Sequence, residues 1–258
     1  VSQRDVAAHL TLTDGALTLG VVKHGRTVLA PAPVGLLTTD ADLSTGLTVV
    51  GQKRRTVVER YDMTTGKRHH RESRMSELRL ELRTGGQRLD LVVRAAADGV
   101  AYRYELPADV TITGEASGFS LPPDAPAWLL PYNAYYEQNR VATTAGGAAA
   151  GDYGYPSLFQ VGDDFALLTE SDVDGRYSGS RLRHAAGSGA YQVVLADQQV
   201  TAVEPFGGYP SQAVLGLGGP GYTGASNGWV QATFDLSNFV AFASAAVDVM
   251  APATPASA

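Results

Sequence analysis

One short acidic segment offers the first chemistry to consider, because five carboxyl side chains fall between positions 163 and 174. They are Asp163, Asp164, Glu170, Asp172 and Asp174. Most enzymes that hydrolyse sugars need a pair of carboxyl groups placed on either side of the glycosidic bond. An acidic segment that follows a glycine is nevertheless more typical of a solvated turn. The sequence therefore predicts no catalytic residue in this chain.

The histidines offer a second possible chemistry, acid–base catalysis on a sugar. His184 as the acid and Glu170 as the base are the nearest such pair along the chain. No histidine lies in a recognisable catalytic motif, so the favoured interpretation is that the histidines are exposed. His69 and His70 do not form a chelating pair, because adjacent residues of a strand point to opposite faces.

Aromatic residues are the stronger indication of a sugar-binding site. Trp128, Tyr132, Tyr135 and Tyr136 cluster in the sequence and are interleaved with amide and carboxyl side chains. Sugar rings stack on aromatic faces and hydrogen-bond to such polar groups. We expect Trp128 to belong to the core. The predicted substrate-binding residues are Asn133, Tyr135, Tyr136 and Glu137.

The elements that must position these residues are strands, because apolar residues recur with a period of two. In the segment 77–83 three leucines alternate with four charged residues, which predicts a strand with one buried face. Gly85-Gly86 and Asp98-Gly99 are typical hairpin turns, so 77–83, 89–94 and 100–106 form a predicted meander. Further strands are predicted at 9–13, 16–22, 27–29, 165–169 and 191–195.

Proline and glycine mark where these strands stop. Pro31 and Pro33 are expected to end the strand that begins at Thr27. The segment 143–151 is rich in glycine and alanine and is predicted to be a loop. No amphipathic helix is evident before residue 200. Many short strands joined by glycine-rich turns predict an all-β fold, a sandwich or a barrel.

Composition restricts the possible functions. The 258 residues carry a net charge of −6, which gives no general attraction to nucleic acid. The chain has no cysteine, which excludes disulfides, thiolate metal sites and a cysteine nucleophile. No apolar run is long enough to span a bilayer, so no membrane partner is expected. Because the chain begins at Val1, we expect a processed protein or a fragment.

Four segments are informative through their order: 31–36, 98–106, 127–137 and 155–177. The most specific is 98–106, in which a tight turn opens a strand with aromatic residues at alternate positions. Together these segments resemble the N-terminal domain of glycoside hydrolase family 97 over roughly residues 5–205. The resemblance implies an all-β, two-sheet β-sandwich of the galactose-mutarotase-like (super-sandwich) type. The catalytic (β/α)₈ barrel of the family does not appear in this sequence.

The resemblance also implies a function that depends on that barrel. Family members cleave α-glucosides or α-galactosides, some with inversion and some with retention, and their catalytic carboxylates lie on the barrel. In calcium-dependent members the sandwich contributes one glutamate to the metal, and Glu170 occupies that position here. Calcium prefers about six to eight oxygen ligands, so Glu170 would need ligands from the barrel. The resemblance further implies a periplasmic or secreted location.

Two other functions remain open: a free-standing carbohydrate-binding sandwich and a mutarotase-like enzyme. The predicted organisation is a family domain at 1–205, a divergent segment at 206–250 and a tail or linker at 251–258, rich in proline and alanine. The family pattern is lost abruptly at Phe206. We therefore expect that a truncation or a shifted reading frame replaced the last strand and the barrel, and the sequence of the coding DNA tests this expectation.

Overall fold

The computed structural model describes residues 1–65, 69–106, 110–132, 138–170 and 180–195. Every regular element in these ranges is a β-strand, which confirms the predicted all-β fold. In chain order the strands are β1 Ser2–Gln3, β2 Val6–Thr13, β3 Ala16–Lys23, β4 Arg26–Pro33, β5 Leu36–Thr38, β6 Asp42–Leu43, β7 Thr48–Asp62, β8 His70–Thr84, β9 Gln87–Ala95, β10 Val100–Glu105, β11 Ile112–Glu115, β12 Gly118–Ser120, β13 Pro126–Pro131, β14 Val141–Thr144, β15 Gly151–Val161, β16 Asp164–Leu168, β17 Ser180–His184 and β18 Ala190–Leu195.

The strands pair in antiparallel fashion and form three sheets within the described ranges. The largest has the order β1-β2-β3-β4-β12-β18-β17-β15-β13-β14, and β16 pairs with β15 beside this path. A second sheet has the order β10-β9-β8-β7, and a third has the order β11-β5-β6. Leu19, Leu36, Leu80 and Phe159 come from all three sheets and are buried in one core. The sheets therefore enclose a common interior, as expected of a β-sandwich.

Local sequence signals account for most of the hairpins. The predicted meander is present as β8, β9 and β10, and the turn between β8 and β9 is formed by Gly85 and Gly86 with positive φ. Asp14 and Gly15 also adopt positive φ and join β2 to β3. Gly15 is required there for a second reason, because a Cβ atom would lie 2.8 Å from Gly46 Cα. Two positive-φ residues in sequence match the twist of the flanking strands.

β4 runs from Arg26 to Pro33, so Pro33 ends the strand as predicted, whereas the prediction that Pro31 ends it is wrong. The pairing of β4 with β3 shifts register between Leu19 and Val21, opposite this part of β4. A bulge of this kind accommodates a proline, because the ladder hydrogen bonds are already interrupted there.

The glycine- and alanine-rich segment 143–151 forms the end of β14, a turn and the start of β15. Aromatic side chains from neighbouring strands hold this turn. The Tyr191 hydroxyl donates to the carbonyl of Ala145 at 2.7 Å, and the Tyr153 hydroxyl donates to the carbonyl of Ala149 at 2.8 Å. The low-complexity loop is thus anchored to the core by specific hydrogen bonds.

No helix in the described ranges is long and apolar enough to cross a membrane.

Candidate functional site

A buried polar cluster lies inside the sandwich, and it begins with the motif at 98–106. Tyr102 and Tyr104 alternate along β10 and both point inward, with their rings 5.5 Å apart. The Tyr102 hydroxyl donates to Glu115 Oε1 at 2.7 Å, and the Tyr104 hydroxyl lies 2.5 Å from Ser117 Oγ. Glu115 ends β11, so the two aromatic residues of the motif connect the meander sheet to the three-stranded sheet.

Glu170 lies at the edge of the same cluster and is only 5% exposed. β16 and β17 both pair with the same side of β15, and Glu170 follows the end of β16 while Ser180 begins β17. The Ser180 amide donates to Glu170 Oε1 at 2.8 Å, and the Ser180 hydroxyl donates to the same oxygen. Glu170 therefore does not face solvent, because it turns into the space between two strands that meet end to end.

Burial controls the protonation of both buried glutamates. It raises the pKa of Glu170 well above its ordinary value, the hydrogen bonds from Ser180 oppose this, and the charge of Glu115 raises the pKa further. Burial also raises the pKa of Glu115 against the hydrogen bonds from Ser117 and Tyr102. The two carboxyl groups thus influence each other, and each favours its neutral form more than an exposed glutamate does.

These side chains do not by themselves form a metal centre. Within the part of the chain that the structure describes, no three His, Cys, Asp or Glu side chains converge as metal ligands. A calcium ion needs about six to eight oxygens, so the chemistry of this region fits one carboxylate ligand and not a complete site. His70 contacts Asp62 across the β7–β8 hairpin, and His69 lies edge to face with His70 at 5.0 Å.

The predicted substrate-binding residues Asn133, Tyr135, Tyr136 and Glu137 lie outside the described residues. Tyr132, directly after β13, is the described residue that precedes them, and it is 38% exposed. The Arg181 guanidinium lies 4.8 Å above the centre of that ring and also donates to Asp152 at 2.6 Å. An exposed tyrosine held by a cation and a nearby carboxylate is the type of surface that binds sugars.

Trp128 does not belong to the core, and that expectation is wrong. Its neighbours Ala127 and Leu129 are both buried, so alternation along β13 turns Trp128 to the outer face of the sheet. There its ring centre lies 6.4 Å from that of Phe165, which is 57% exposed. Alternation along a strand does not say which of its two faces is covered, and the packing of the sheets decides it here.

The histidine considered for mutarotase chemistry is also placed differently from the expectation. His184 is buried and not exposed, stacked on Tyr191 with ring centres 4.6 Å apart. Its Nε2 lies 3.2 Å from the carbonyl of Ala148, and its Nδ1 lies 3.3 Å from that of Ala190. Both ring nitrogens therefore face backbone oxygens, which suits a structural role.

The remaining acidic candidates separate into two groups. Asp163 and Asp164 lie at the turn between β15 and β16, where Asp163 pairs with Arg26 at 3.5 Å and Asp164 pairs with Lys23 at 2.9 Å. They bind the neighbouring β3–β4 hairpin as solvated ion pairs, in agreement with the interpretation as a turn. Asp172 and Asp174 lie outside the described residues.

The chain is similar to known proteins along most of its length. A family model described as "Glycosyl-hydrolase 97 N-terminal" matches residues 3–230. A probable retaining alpha-galactosidase of Streptomyces bingchenggensis (strain BCW-1) is 48% identical over 195 residues, which are 75% of this chain and 31% of that protein. The chain thus spans about a third of the length of this relative.

Solved structures show the same relation. A beta-arabinopyranosidase crystal structure superposes with a TM-score of 0.70 at 26% identity, covering 77% of this chain and 35% of that one. A family 97 enzyme of Pseudoalteromonas sp. strain K8, solved in complex with panose, has a TM-score of 0.68 at 19% identity, covering 77% of this chain and 32% of that one. The second match shows the fold alone. The family model covers most of the chain, and the chain therefore belongs to glycoside hydrolase family 97, whose N-terminal domain it contains.

Proposed function

We propose that this chain serves as the accessory N-terminal domain of an α-glycosidase, where it supports a catalytic barrel and forms one edge of the substrate and calcium site. One observation carries the proposal: the chain is 48% identical over 195 residues to part of a probable retaining alpha-galactosidase. The alternating pattern of the strands, the common core and the buried polar cluster are all features of a scaffold. Alone, the chain is not expected to hydrolyse glycosides.

Glu170 is proposed to be the residue that this domain contributes to calcium. Its carboxyl group is preorganised by two hydrogen bonds from Ser180, which fix its orientation before any ion is bound. Burial raises the pKa of Glu170, and a cation beside its carboxylate would oppose that effect. A bound calcium would supply positive charge at this position, and the chain itself would hold the carboxylate in place.

A chimera tests the proposal. The 195-residue matching segment of the Streptomyces alpha-galactosidase is replaced by the corresponding segment of this chain, and release of nitrophenol from an α-galactoside is measured. We expect the chimera to hydrolyse the substrate and the isolated 258-residue chain to release none. Hydrolysis by the isolated chain, or a folded chimera without activity, would contradict the proposed role.

The calcium contribution has its own test in the chimera. Glu170→Ala is expected to raise the calcium concentration for half-maximal activity by about tenfold or more, because a ligand oxygen and its oriented support are both lost. The increase in melting temperature caused by calcium should fall in parallel, which provides a readout independent of turnover. Asp124→Ala, which removes an exposed carboxylate from a turn, is the matched control. Equal calcium dependence in all three proteins would exclude Glu170 as a ligand.

The second candidate function is sugar binding by the isolated sandwich, and the exposed ring of Tyr132 beside Arg181 favours it. Under this hypothesis, calorimetric titration of the 258-residue chain with maltooligosaccharides shows saturable binding. The double variant Tyr135→Ala, Tyr136→Ala should then bind about thirtyfold more weakly, since aromatic stacking contributes roughly 1 kcal/mol per ring and two rings are removed. Tyr61→Ala on the β7–β8 hairpin is the matched control. A titration that shows no binding, with or without calcium, would exclude sugar binding by the isolated chain and leave the scaffold role.

A further inference from the structure

The outer face of the largest sheet is divided into an apolar part and a polar part. Where β13, β15 and β16 pair, the outward apolar side chains are Trp128, Leu158, Phe165 and Leu167, which we name the apolar patch, and Gln160 lies on the same face. On β17 and β18 the outward side chains are Arg181, Arg183, Gln192 and Val194. The outward face is therefore mainly apolar where β16 pairs with β15 and mainly polar on β17 and β18.

The pattern of β16 shows that this difference is systematic. Its sequence Phe165-Ala-Leu-Leu168 is apolar on both faces, whereas β8 alternates leucines with charged residues. A strand without a polar face is typical of burial on both sides. In this chain Ala166 and Leu168 are buried, but Phe165 and Leu167 remain 57% and 40% exposed. The outward face of β16 therefore has the apolar composition of an interface, and it is exposed among the described residues.

The patch is contiguous across three strands. Leu158 pairs directly with Leu167, Trp128 pairs with Leu158 from the other side, and the Trp128 ring centre lies 6.4 Å from that of Phe165. Contiguous exposed apolar surface on a soluble domain marks an interaction site more often than single exposed residues do. An aromatic pair at the centre is the usual form of an energetic anchor.

We propose that the apolar patch is the surface on which the remaining part of the full-length family 97 enzyme docks. The proposal rests on the proposed function and specifies the surface that it uses. In the solved relatives, about two thirds of the polypeptide lies outside the region that matches this chain, so a large body of protein is available as the occupant. The docked surface carries aliphatic or aromatic side chains opposite Trp128 and Phe165.

Hydroxyl-radical footprinting measures the exposure of individual side chains and tests this assignment. We compare the 258-residue chain with the chimera described above and follow oxidation of Trp128, Phe165 and Leu167. Leu37, an exposed leucine on β5, is the matched control. We expect oxidation of the three patch residues to be at least about fivefold slower in the chimera, because contact with a docked domain excludes solvent. Leu37 should react equally in both.

Three results would overturn the proposal. Equal oxidation in both proteins would show that the patch stays open. Protection in the 258-residue chain that increases with protein concentration would assign the patch to a second copy. Protection there at all concentrations would assign it to residues 196–258 of the same chain. An active chimera with an open patch would remove only the docking assignment, whereas an inactive chimera with a protected patch would remove only the proposed function.

A paired set of variants gives a second measurement. The double variant Phe165→Asp, Leu167→Asp is expected to leave the circular dichroism of the 258-residue chain unchanged, because both side chains already face solvent. In the chimera it should lower the melting temperature by several degrees, since two charges would be buried at the interface. Gln192→Asp, on the polar part of the same face, should change neither the circular dichroism of the 258-residue chain nor the melting temperature of the chimera. Equal melting temperatures for the double variant and the parent chimera would contradict the docking assignment.

Discussion

The variant Tyr191→Ala is expected to lower the free energy of unfolding by about 4 kcal/mol. Tyr191 is fully buried and lies against three aromatic rings: it stacks on His184 at 4.6 Å and meets Phe159 edge to face at 5.1 Å and Tyr153 at 6.4 Å. Its hydroxyl also donates to the carbonyl of Ala145. Truncation creates a cavity among these rings and releases the turn between β14 and β15.

Urea unfolding followed by circular dichroism measures this effect, and two further variants separate its causes. Tyr191→Phe removes only the hydroxyl and is expected to cost about 1–2 kcal/mol, because a buried carbonyl loses its donor. Phe165→Ala removes an equally large ring from the exposed apolar patch and should cost less than about 1 kcal/mol. A similar loss for Tyr191→Ala and Phe165→Ala would show that the ring of Tyr191 is not part of the core.

The second large effect concerns Glu77 and Glu115, two glutamates that are about equally buried but whose replacement by glutamine should change the free energy of unfolding in opposite directions at pH 7. Glu77 is 4% exposed, and Glu115 is 6% exposed. Glu77 accepts hydrogen bonds from Arg55 at 2.5 Å and from Arg94 at 2.8 Å, whereas Glu115 accepts hydrogen bonds from the neutral hydroxyls of Ser117 and Tyr102. Burial favours the neutral form of both. For Glu77 the two arginines outweigh burial and lower its pKa, while for Glu115 burial prevails and raises the pKa.

The consequence for stability follows from which state binds the proton more tightly. The folded chain binds the Glu77 proton less tightly than the unfolded chain, so Glu77 stabilises the fold above the unfolded pKa of about 4.3, and this stabilisation is lost as the pH falls through the lowered folded pKa. The folded chain binds the Glu115 proton more tightly. Its favourable contribution is complete below about pH 4.3 and is lost as the pH rises toward the raised folded pKa.

We therefore expect opposite results from two equivalent substitutions. At pH 7, Glu77→Gln should destabilise the chain by about 2–4 kcal/mol, since it leaves two guanidinium groups without their carboxylate, and the difference should shrink below about pH 4. Glu115→Gln should stabilise the chain at pH 7, because the amide still accepts the Tyr102 hydrogen bond and never ionises. Its advantage should disappear below about pH 4. Urea unfolding between about pH 3 and pH 8 measures both, and effects of the same sign at pH 7 would contradict the assignment.

Local sequence signals predicted the meander and the β2–β3 hairpin because they act over short distances, whereas β7, β13, β14 and β15 were not among the predicted strands. The alternation at 77–83 and the turns at Gly85-Gly86 and Asp14-Gly15 depend on neighbouring residues alone, and the structure confirms them. The error at Pro31 has a non-local cause, since the register shift that accommodates it involves the paired strand β3. The substrate-binding residues Tyr135 and Tyr136 lie outside the described residues and stay a prediction.

The sequence by itself determined the all-β class, the hairpins and the family, because periodicity, turn residues and ordered motifs are written along the chain. Only the tertiary structure decided which faces are covered. Alternation states that Trp128 is opposite Ala127 and Leu129, but the packing of the sheets places it outside. Likewise, Glu77 and Glu170 read as exposed acids, and they are buried because distant strands bring Arg94 and Ser180 to them. Burial is a property of elements packed against one another, and no short stretch of sequence contains it.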